Sequence, residues 1–479
     1  MLTRKGFLAA LGSVPLAQTV LGRELGKPNA VFGVFSDIHV RDKASAADFQ
    51  KALAWYREQD VDGVAIPGDL ADYGQEFELK MVADAWRAVF PDGKGLNGKP
   101  VDHVMIGGNH EFGNDVWQRR AGYRKEDRDP AKVAEIWKTT WKRDPKGVWE
   151  RCFGTPFEKF GIKEIKGYKF VYCHLSFEKE GIDDFLRAHA AELAPGKPFF
   201  YLQHCRIKGT NYPDLRAARD ARLADDSPIY GRRFGLEGYP HAISLTGDTH
   251  NTLLDDGFLI QHKYTSINCA SFRYTTATEK RAENVHWKAA YAKTRSPAQL
   301  PHIDLDMTNK QGMLFFLYDD HMVIERWDLH HYERAAPDLV LPLAKTGVPE
   351  MPYTPVGMKA RCKAPLWPEG AKVEVSGPVD GRDRDKKPTR QMVVSWPAAR
   401  NDDHLRRVRS YRIEAKDADG KVLATKWLVP KNFARALARL TDAESCPFAL
   451  DELGGEAKAR SAKFSVVAEG VYGNESAPL

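Results

Sequence analysis

The stretch Val104-Met105-Ile106-Gly107-Gly108-Asn109-His110-Glu111 decides the fold. Val104 to Ile106 is a short apolar run of the kind that forms a buried strand, and the two glycines after it open a loop. An amide oxygen beside an imidazole makes poor core, but it suits a metal ligand standing next to a proton donor. Alone, the stretch is a weak signal and an ordinary turn is the safer reading. Its weight depends on whether Asp and His recur elsewhere in the same strand-to-loop setting.

That setting recurs along the chain. Ala30 to Phe35 reads as a buried strand ending in Ser36-Asp37-Ile38-His39. Ser45 is a candidate cap for a helix with Phe49, Ala52, Leu53 and Tyr56 on one face. Val64-Ala65-Ile66 runs into Pro67-Gly68-Asp69-Leu70-Ala71-Asp72, followed by a helix with Leu79, Val82, Trp86 and Val89 at helical spacing. Further on, Tyr168 to Tyr172 ends at Cys173-His174, Pro198 to Leu202 ends at Gln203-His204, and Ala242 to Leu245 leads into Thr246-Gly247-Asp248-Thr249-His250. Alternating strands and amphipathic helices predict a layered α/β domain. In open α/β sheets the strand ends are where sites are built. A solitary histidine there is usually structural, but a series of coordinating groups at successive strand ends is hard to explain as structure alone.

Such a series predicts a dinuclear metal centre. One carboxylate bridges two cations, while amide oxygen and imidazole nitrogen complete a mixed shell suited to Mn, Fe or Zn. Two ions roughly 3.5–4 Å apart clamp a phosphoryl group and activate a water or hydroxide for in-line attack.

Asp37-Ile38-His39, Gly68-Asp69-Leu70-Ala71-Asp72, Gly108-Asn109-His110-Glu111, His204 and Gly247-Asp248-Thr249-His250 together resemble, in order and spacing, the five blocks of the calcineurin-like metallophosphoesterases. The resemblance covers roughly Ala30 to Leu329. It implies a four-layer α/β sandwich, two central sheets flanked by helices, and a metal-dependent phosphoesterase activity. By the same resemblance Asp37, His39 and His250 hold one metal, Asp69 bridges, and Asn109, His204 and Asp248 hold the second. His110 then binds the phosphoryl group or protonates the leaving oxygen. The family usually carries His where this chain has Asp248. An aspartate there favours Mn, Mg or Fe over Zn, or leaves the second site poorly occupied. Asp72 matches a family position that is not a ligand, for which a turn or helix-cap role is expected. His174 is expected to be structural or at the rim.

The substrate class stays open between phosphodiesters and phosphomonoesters. Gly68 to Asp72 also resembles the cyclic-nucleotide and lipid-head-group diesterase branches, which tilts the expectation towards diesters. The alternative function is a binding or scaffold protein whose second metal site Asp248 has impaired. Arg273 and Tyr274 are candidate substrate contacts on a rim loop. Residues 112–151, with Trp117, Tyr123, Trp137, Trp141 and Trp149, form either a cap that stacks on substrate or a helical insert packed on the body.

The remaining features set the context. With 479 residues the chain is too long for one core. A net charge of +6 arises from 71 basic and 65 acidic residues, interspersed, a bias too weak for nucleic acid but suited to a small anionic substrate. Residues 1–26 read as a signal peptide: Arg4-Lys5 precede an apolar segment too short to span a bilayer comfortably. Thr3 to Leu8 resembles a twin-arginine signal with lysine in the second place, leaving the general secretory route open, with a retained anchor helix as the other reading. The expected location is therefore periplasmic or extracellular, with no integral membrane span in the rest of the chain. Six scattered cysteines lack a zinc-type CxxC pair, although export would permit some to form disulfides. The catalytic domain is expected over 27–335, a proline-rich linker over 336–361 and an all-β sandwich over 362–479. The stretch from Ala468 to Pro478 resembles the closing strands of a fibronectin type III-like domain, with Trp396 and Tyr411 as core aromatics. Contact with a surface or glycan is a candidate role for that module.

Overall fold

Two strands running as unbroken apolar segments, Ala30–Val34 (β1) and Gly63–Ile66 (β2), lie at the centre of the computed structural model, buried at every position. The structure describes residues 26–112, 144–175, 181–193, 197–205, 207, 235–273, 275, 302–303, 310–382, 387–400 and 408–479. The signal segment up to residue 25, residues 113–143 with four of the five aromatic cap candidates, and Tyr274 lie outside the described residues.

Between β1 and β2 runs helix α1 (Lys43–Glu58), which buries Phe49, Ala52, Leu53 and Tyr56 as the spacing predicts. Its cap is Asp42 rather than Ser45. The Asp42 carboxylate accepts the Ser45 N–H at 2.8 Å, and the Ser45 hydroxyl accepts the Asp42 N–H at 3.1 Å, a reciprocal capping box. Helix α2 (Glu76–Val89) buries Leu79, Val82, Trp86 and Val89 and leads to β3 (Asp102–Met105) and a single turn, α3 (Asn109–Phe112). Helix α4 (Pro145–Phe153) buries Trp149 against the body. Strands β4 (Phe160–Ile165) and β5 (Tyr168–Cys173), helix α5 (Ile182–Ala188), β6 (Phe199–Leu202), β7 (Ala242–Thr246), β8 (Leu259–Gln261) and β9 (Thr265–Asn268) follow. After β10 (His302–Ile303), strands β11 (Gln311–Leu317), β12 (His321–Asp328) and β13 (Glu333–Pro342) return to the first sheet. Asp319-Asp320 form the bend between β11 and β12.

The first sheet has the order β13-β12-β11-β1-β2-β3 and the second β4-β5-β6-β7-β9-β8. β1, β2 and β3 are parallel, as are β5, β6, β7 and β9. Strand periodicity assigns alternate residues to opposite faces. Val31, Val64, Ile66, Leu314 and Phe316 face helices α1, α2 and α4, whereas Phe32, Val34, Ala65, Phe315 and Leu317 meet Phe170, Phe200, Leu202 and Leu245 of the second sheet. The outer face of the second sheet packs Val171 and Tyr201 on Ile182 and Leu186 of α5. Helices, sheet, sheet and helix thus form the four layers that the family resemblance implies.

Residues 336–361 are not a continuous linker. Their first part belongs to β13, which pairs with β12 across seven register positions from His321–Pro342 to Asp328–Glu333, and Pro355–Arg361 forms helix α6. Pro337 and Pro342 are tolerated because β13 is an edge strand, where one side of the backbone needs no partner.

The C-terminal part is all-β. Strands β14 (Glu374–Arg382), β15 (Pro388–Pro397) and β18 (Ala443–Ala449) make one sheet; β16 (Val408–Lys416), β17 (Val422–Val429) and β19 (Lys463–Gly470) make the other, joined at its edge by β10. Trp396 and Tyr411 are in its core, with ring centroids 5.3 Å apart. Ile260 of β8 packs with Met358, Cys362, Phe433, Val471 and Tyr472, which seats this module on the second sheet. All six cysteines are buried and no disulfide joins them in this structure. Among the described residues no helix is long and apolar enough to cross a membrane.

Candidate metal centre

The C-terminal ends of β1, β2, β3, β6 and β7 converge, and each delivers candidate ligands. Five of the residues concerned adopt left-handed backbone conformations that L-residues avoid: Asp37 (φ 53°), His39 (45°), Asp69 (49°), Asp248 (60°) and His250 (52°). Backbone held this way costs about 1–3 kcal/mol per residue and persists only where the surroundings over-determine it, a pattern concentrated at functional sites. Local hydrogen bonds do part of the holding. The Asp37 N–H donates to Gly68 O at 3.1 Å and the His39 N–H to Asp69 O at 3.0 Å, lacing the β1 and β2 loops together.

Glycines explain the spacing of the motifs. A Cβ on Gly108 would stand 2.3 Å from Asp69 Oδ1, one on Gly68 2.2 Å from His204 Nδ1, and one on Gly247 2.5 Å from Asp37 Oδ2. Each glycine immediately precedes a candidate ligand, and each is the place where one loop passes beneath the side chain of another.

Asp37, His39, Asp69 and His250, all buried, present ligand atoms within 4.8 Å of one another. His250 Nε2 is 2.9 Å from Asp37 Oδ1 and 3.3 Å from His39 Nε2. Asp69 Oδ2 is 3.7 Å from His39 Nε2, while Asp69 Oδ1 is 3.2 Å from His204 Nε2. His204 Nε2 also lies 2.7 Å from Asn109 Oδ1, and its Nδ1 faces Pro67 O at 2.9 Å. His110 donates its backbone N–H to Asp69 Oδ1 at 2.9 Å and places Nε2 3.8 Å from Asp69 Oδ2, with its side chain partly open to solvent. Asp248 reaches the group through its backbone, donating N–H to Asp37 Oδ1 at 3.2 Å. Its carboxylate falls outside the tight cluster. Arg273 donates to the main-chain carbonyl of His39 at 2.6 Å, which places it beside the centre.

Two groups carry more of the site than their sequence positions suggested. The Asp72 carboxylate is buried 3.3 Å from His39 Nδ1, and the Asp72 carbonyl is 2.5 Å from His110 Nδ1. This replaces the expected cap role: Asp72 orients both imidazoles so that each turns Nε2 towards Asp69. Glu111 accepts the N–H groups of Ala71 at 2.7 Å and Gly108 at 2.6 Å, tying the β2 and β3 loops. The only sequence signal for either was a carboxylate close to a candidate ligand.

Electrostatics follow from burying these groups together. Burial and neighbouring Asp69 raise the Asp37 carboxyl against the pull of His204 and His39. For Asp69, burial works upward, but His204, His110 and His39 outweigh it and hold the carboxyl well below the usual range. Burial works downward on His204, yet Asp69, with Asp37 and Asp248, holds it well above an ordinary imidazole. Burial and the nearby His110 push His39 down to about 4. Among the described residues, Asp69 Oδ2 and Asp248 Oδ2 are buried with no hydrogen-bond partner. Buried carboxylate oxygens need a compensating charge. Orphaned carboxylate oxygens, imidazoles turned inward and an amide oxygen together fit divalent cations.

Comparison with known proteins agrees. Residues 30–252 match the sequence profile of the calcineurin-like phosphoesterase family. Among solved structures, a dimetal phosphatase from Danio rerio is similar over 66% of this chain and 100% of its own, at 13% identity and a TM-score of 0.33. A purple acid phosphatase from yellow lupin (Lupinus luteus) is similar over 65% of this chain and 54% of its own, at 12% identity and a TM-score of 0.38. No curated protein matches the sequence. The profile match spans every strand end of the centre from Asp37 to His250, and residues 30–252 of this chain are a calcineurin-like phosphoesterase domain.

Proposed function

We propose that the protein is a dinuclear metal-dependent hydrolase of small phosphate esters, with diesters the favoured class. One observation carries this reading: the two oxygens of Asp69 face different groups. Oδ2 faces His39 and Oδ1 faces His204, the disposition of a carboxylate that bridges two ions. On one side Asp37, His39 and His250 would hold the first ion; on the other Asn109 and His204, with Asp248, would hold the second. The oxygen-rich second set favours manganese or iron over zinc. Bound together, the two cations supply Lewis-acid polarisation of the phosphoryl group and a nucleophile at neutral pH. The chain's own residues do the rest. His110, anchored by Asp72 O and open to solvent on one edge, is placed to meet a leaving oxygen and protonate it. Asp72 and Pro67 O fix the rings of His39 and His204, and Arg273 adds positive charge beside the entrance.

A second reading rests on Asp248, whose carboxylate stands outside the tight cluster: a binding or scaffold protein with one occupied metal site. Turnover separates the two. Purified protein supplied with manganese is assayed on p-nitrophenyl phosphate and on bis(p-nitrophenyl) phosphate, with Asp69→Asn as the comparison. The enzyme reading expects hydrolysis that Asp69→Asn abolishes. Absence of turnover on both esters, with one ion or none retained, supports the scaffold reading.

We further propose that residues 1–26 direct export to the periplasm or beyond. For residues 362–479 we propose a fibronectin type III-like module that contacts a surface or glycan. Support comes from the Arg4-Lys5 leader pattern and from the two packed all-β sheets.

A further inference from the structure

His174 is buried and is not among the candidate ligands. It ends β5 in the second sheet, is 1% exposed, and lies among the rings of Phe157, Trp149, Tyr172 and Phe112 at centroid distances of 4.8 to 6.2 Å. Ring packing alone would account for an aromatic residue at this place. It does not account for the polar contact. His174 Nδ1 accepts the Gly107 N–H at 2.8 Å, and the adjacent Leu175 N–H donates to Gly107 O at 3.2 Å. The second sheet thus holds both polar groups of Gly107, the residue that opens the loop carrying Asn109 and His110.

This loop needs external fixing. Two consecutive glycines give up more backbone freedom on ordering than any other pair of residues. Downstream, Gly108 is held by Glu111, Asn109 faces His204 and the His110 N–H reaches Asp69. Upstream, β3 is an edge strand of the first sheet, and His174 and Leu175 anchor the loop at its root. The accepting role requires an unprotonated Nδ1, and burial among aromatic rings keeps the imidazole neutral by pushing it down to about 3.

We propose that His174 is a positioning residue for the second metal site, acting through the Gly107 N–H to set where Asn109 and His110 stand. The inference rests on the dimetal reading above. An anchor of this kind outside the ligand shell is worth about tenfold in metal affinity or rate.

The test compares His174→Leu, which removes the acceptor, with His174→Asn, whose side-chain oxygen offers an acceptor near the Nδ1 position. Phe157→Leu is the control that disturbs the same ring cluster and leaves the acceptor in place. Each is measured with manganese: ions per chain, thermal midpoint, and kcat and KM on bis(p-nitrophenyl) phosphate. The expected result is a roughly tenfold loss of kcat and a fall from two ions towards one in His174→Leu, with KM little changed. His174→Asn should stay within about threefold of the parent, and Phe157→Leu should lose thermal stability while keeping two ions. The inference is overturned if His174→Leu and Phe157→Leu match in ion content and kcat, or if a folded His174→Asn loses the second ion as His174→Leu does. Should His174→Leu not fold, His174→Asn decides against the parent by the same ion count. A parent protein that binds no manganese and turns over neither ester refutes the dimetal reading instead, and this inference falls with it.

Discussion

Replacing Gly108 with alanine tests the packing beneath the centre at its tightest point. The added Cβ would meet Asp69 Oδ1 at 2.3 Å, Asp69 N at 2.6 Å and His204 Cδ2 at 2.7 Å. Restoring an ordinary contact of 3.4 Å requires about 1.1 Å of movement by the Asp69 carboxylate or by Gly108 itself. The Asp69 backbone nitrogen cannot yield without shifting a residue already held at φ 49°. Overpacking of this kind costs about 1–3 kcal/mol of stability. Displacing a positioned group by about 1 Å costs about a hundredfold in rate. Gly108→Ala is therefore expected to lower the thermal midpoint by several degrees, to lose at least one manganese ion and to reduce turnover about a hundredfold. Gly238→Ala is the control, since a Cβ there meets nothing within 4 Å. Metal analysis, a thermal melt and the bis-ester assay read all three effects. A Gly108→Ala protein that keeps two ions and turns over within twofold of the parent would refute the claim that these loops meet at contact distance.

Three further outcomes follow from the same geometry. Asp72→Asn weakens the hold on His39 Nδ1 and should reduce manganese affinity or kcat by about 10–100-fold; unchanged metal titration and kinetics would remove Asp72 from the account. Arg326 is fully buried, donating to Asp256 at 2.7 Å and to the carbonyls of Leu253 and Pro337, so Arg326→Met removes the guanidinium that faces a buried carboxylate and should cost about 3–5 kcal/mol in denaturant unfolding; a loss below about 1 kcal/mol would contradict the pairing. Because burial lowers His174 to about 3 from its ordinary 6.5, the unfolded chain binds the extra proton between those values, so stability falls as pH drops through that window, by up to about 1.4 kcal/mol per unit; His174→Asn should flatten the slope, and an unchanged slope would show that His174 is not held neutral.

The core of the fold was legible because parallel strands covered on both faces read as unbroken apolar runs. Ala30–Val34 and Gly63–Ile66 are of this kind, and polar residues at their ends mark the site. Elements on the edges were harder. β4 mixes Lys163 and Glu164 with apolar residues because only part of it is covered, and β14 is exposed along most of its length. Residues 336–342 of β13 read as linker because Pro337 and Pro342 usually break strands, and only the edge position of β13, a property of the sheet, makes them acceptable. In the site, groups that point at a cation recur as Asp, Asn and His beside glycine and were readable. Asp72 and Glu111 act on neighbouring loops across 33 and 40 positions of sequence, so their work depends on which loops the fold brings together.

The central claim is that Asp69 stands between two cations. Crystals of the protein grown with manganese, measured at an X-ray energy where manganese scatters anomalously, test it most directly. The account predicts two anomalous peaks per chain, one against Asp37, His39 and His250 and one against Asn109 and His204, each within bonding distance of an Asp69 oxygen. A single peak confined to the Asp37, His39 and His250 side, or none, would contradict it.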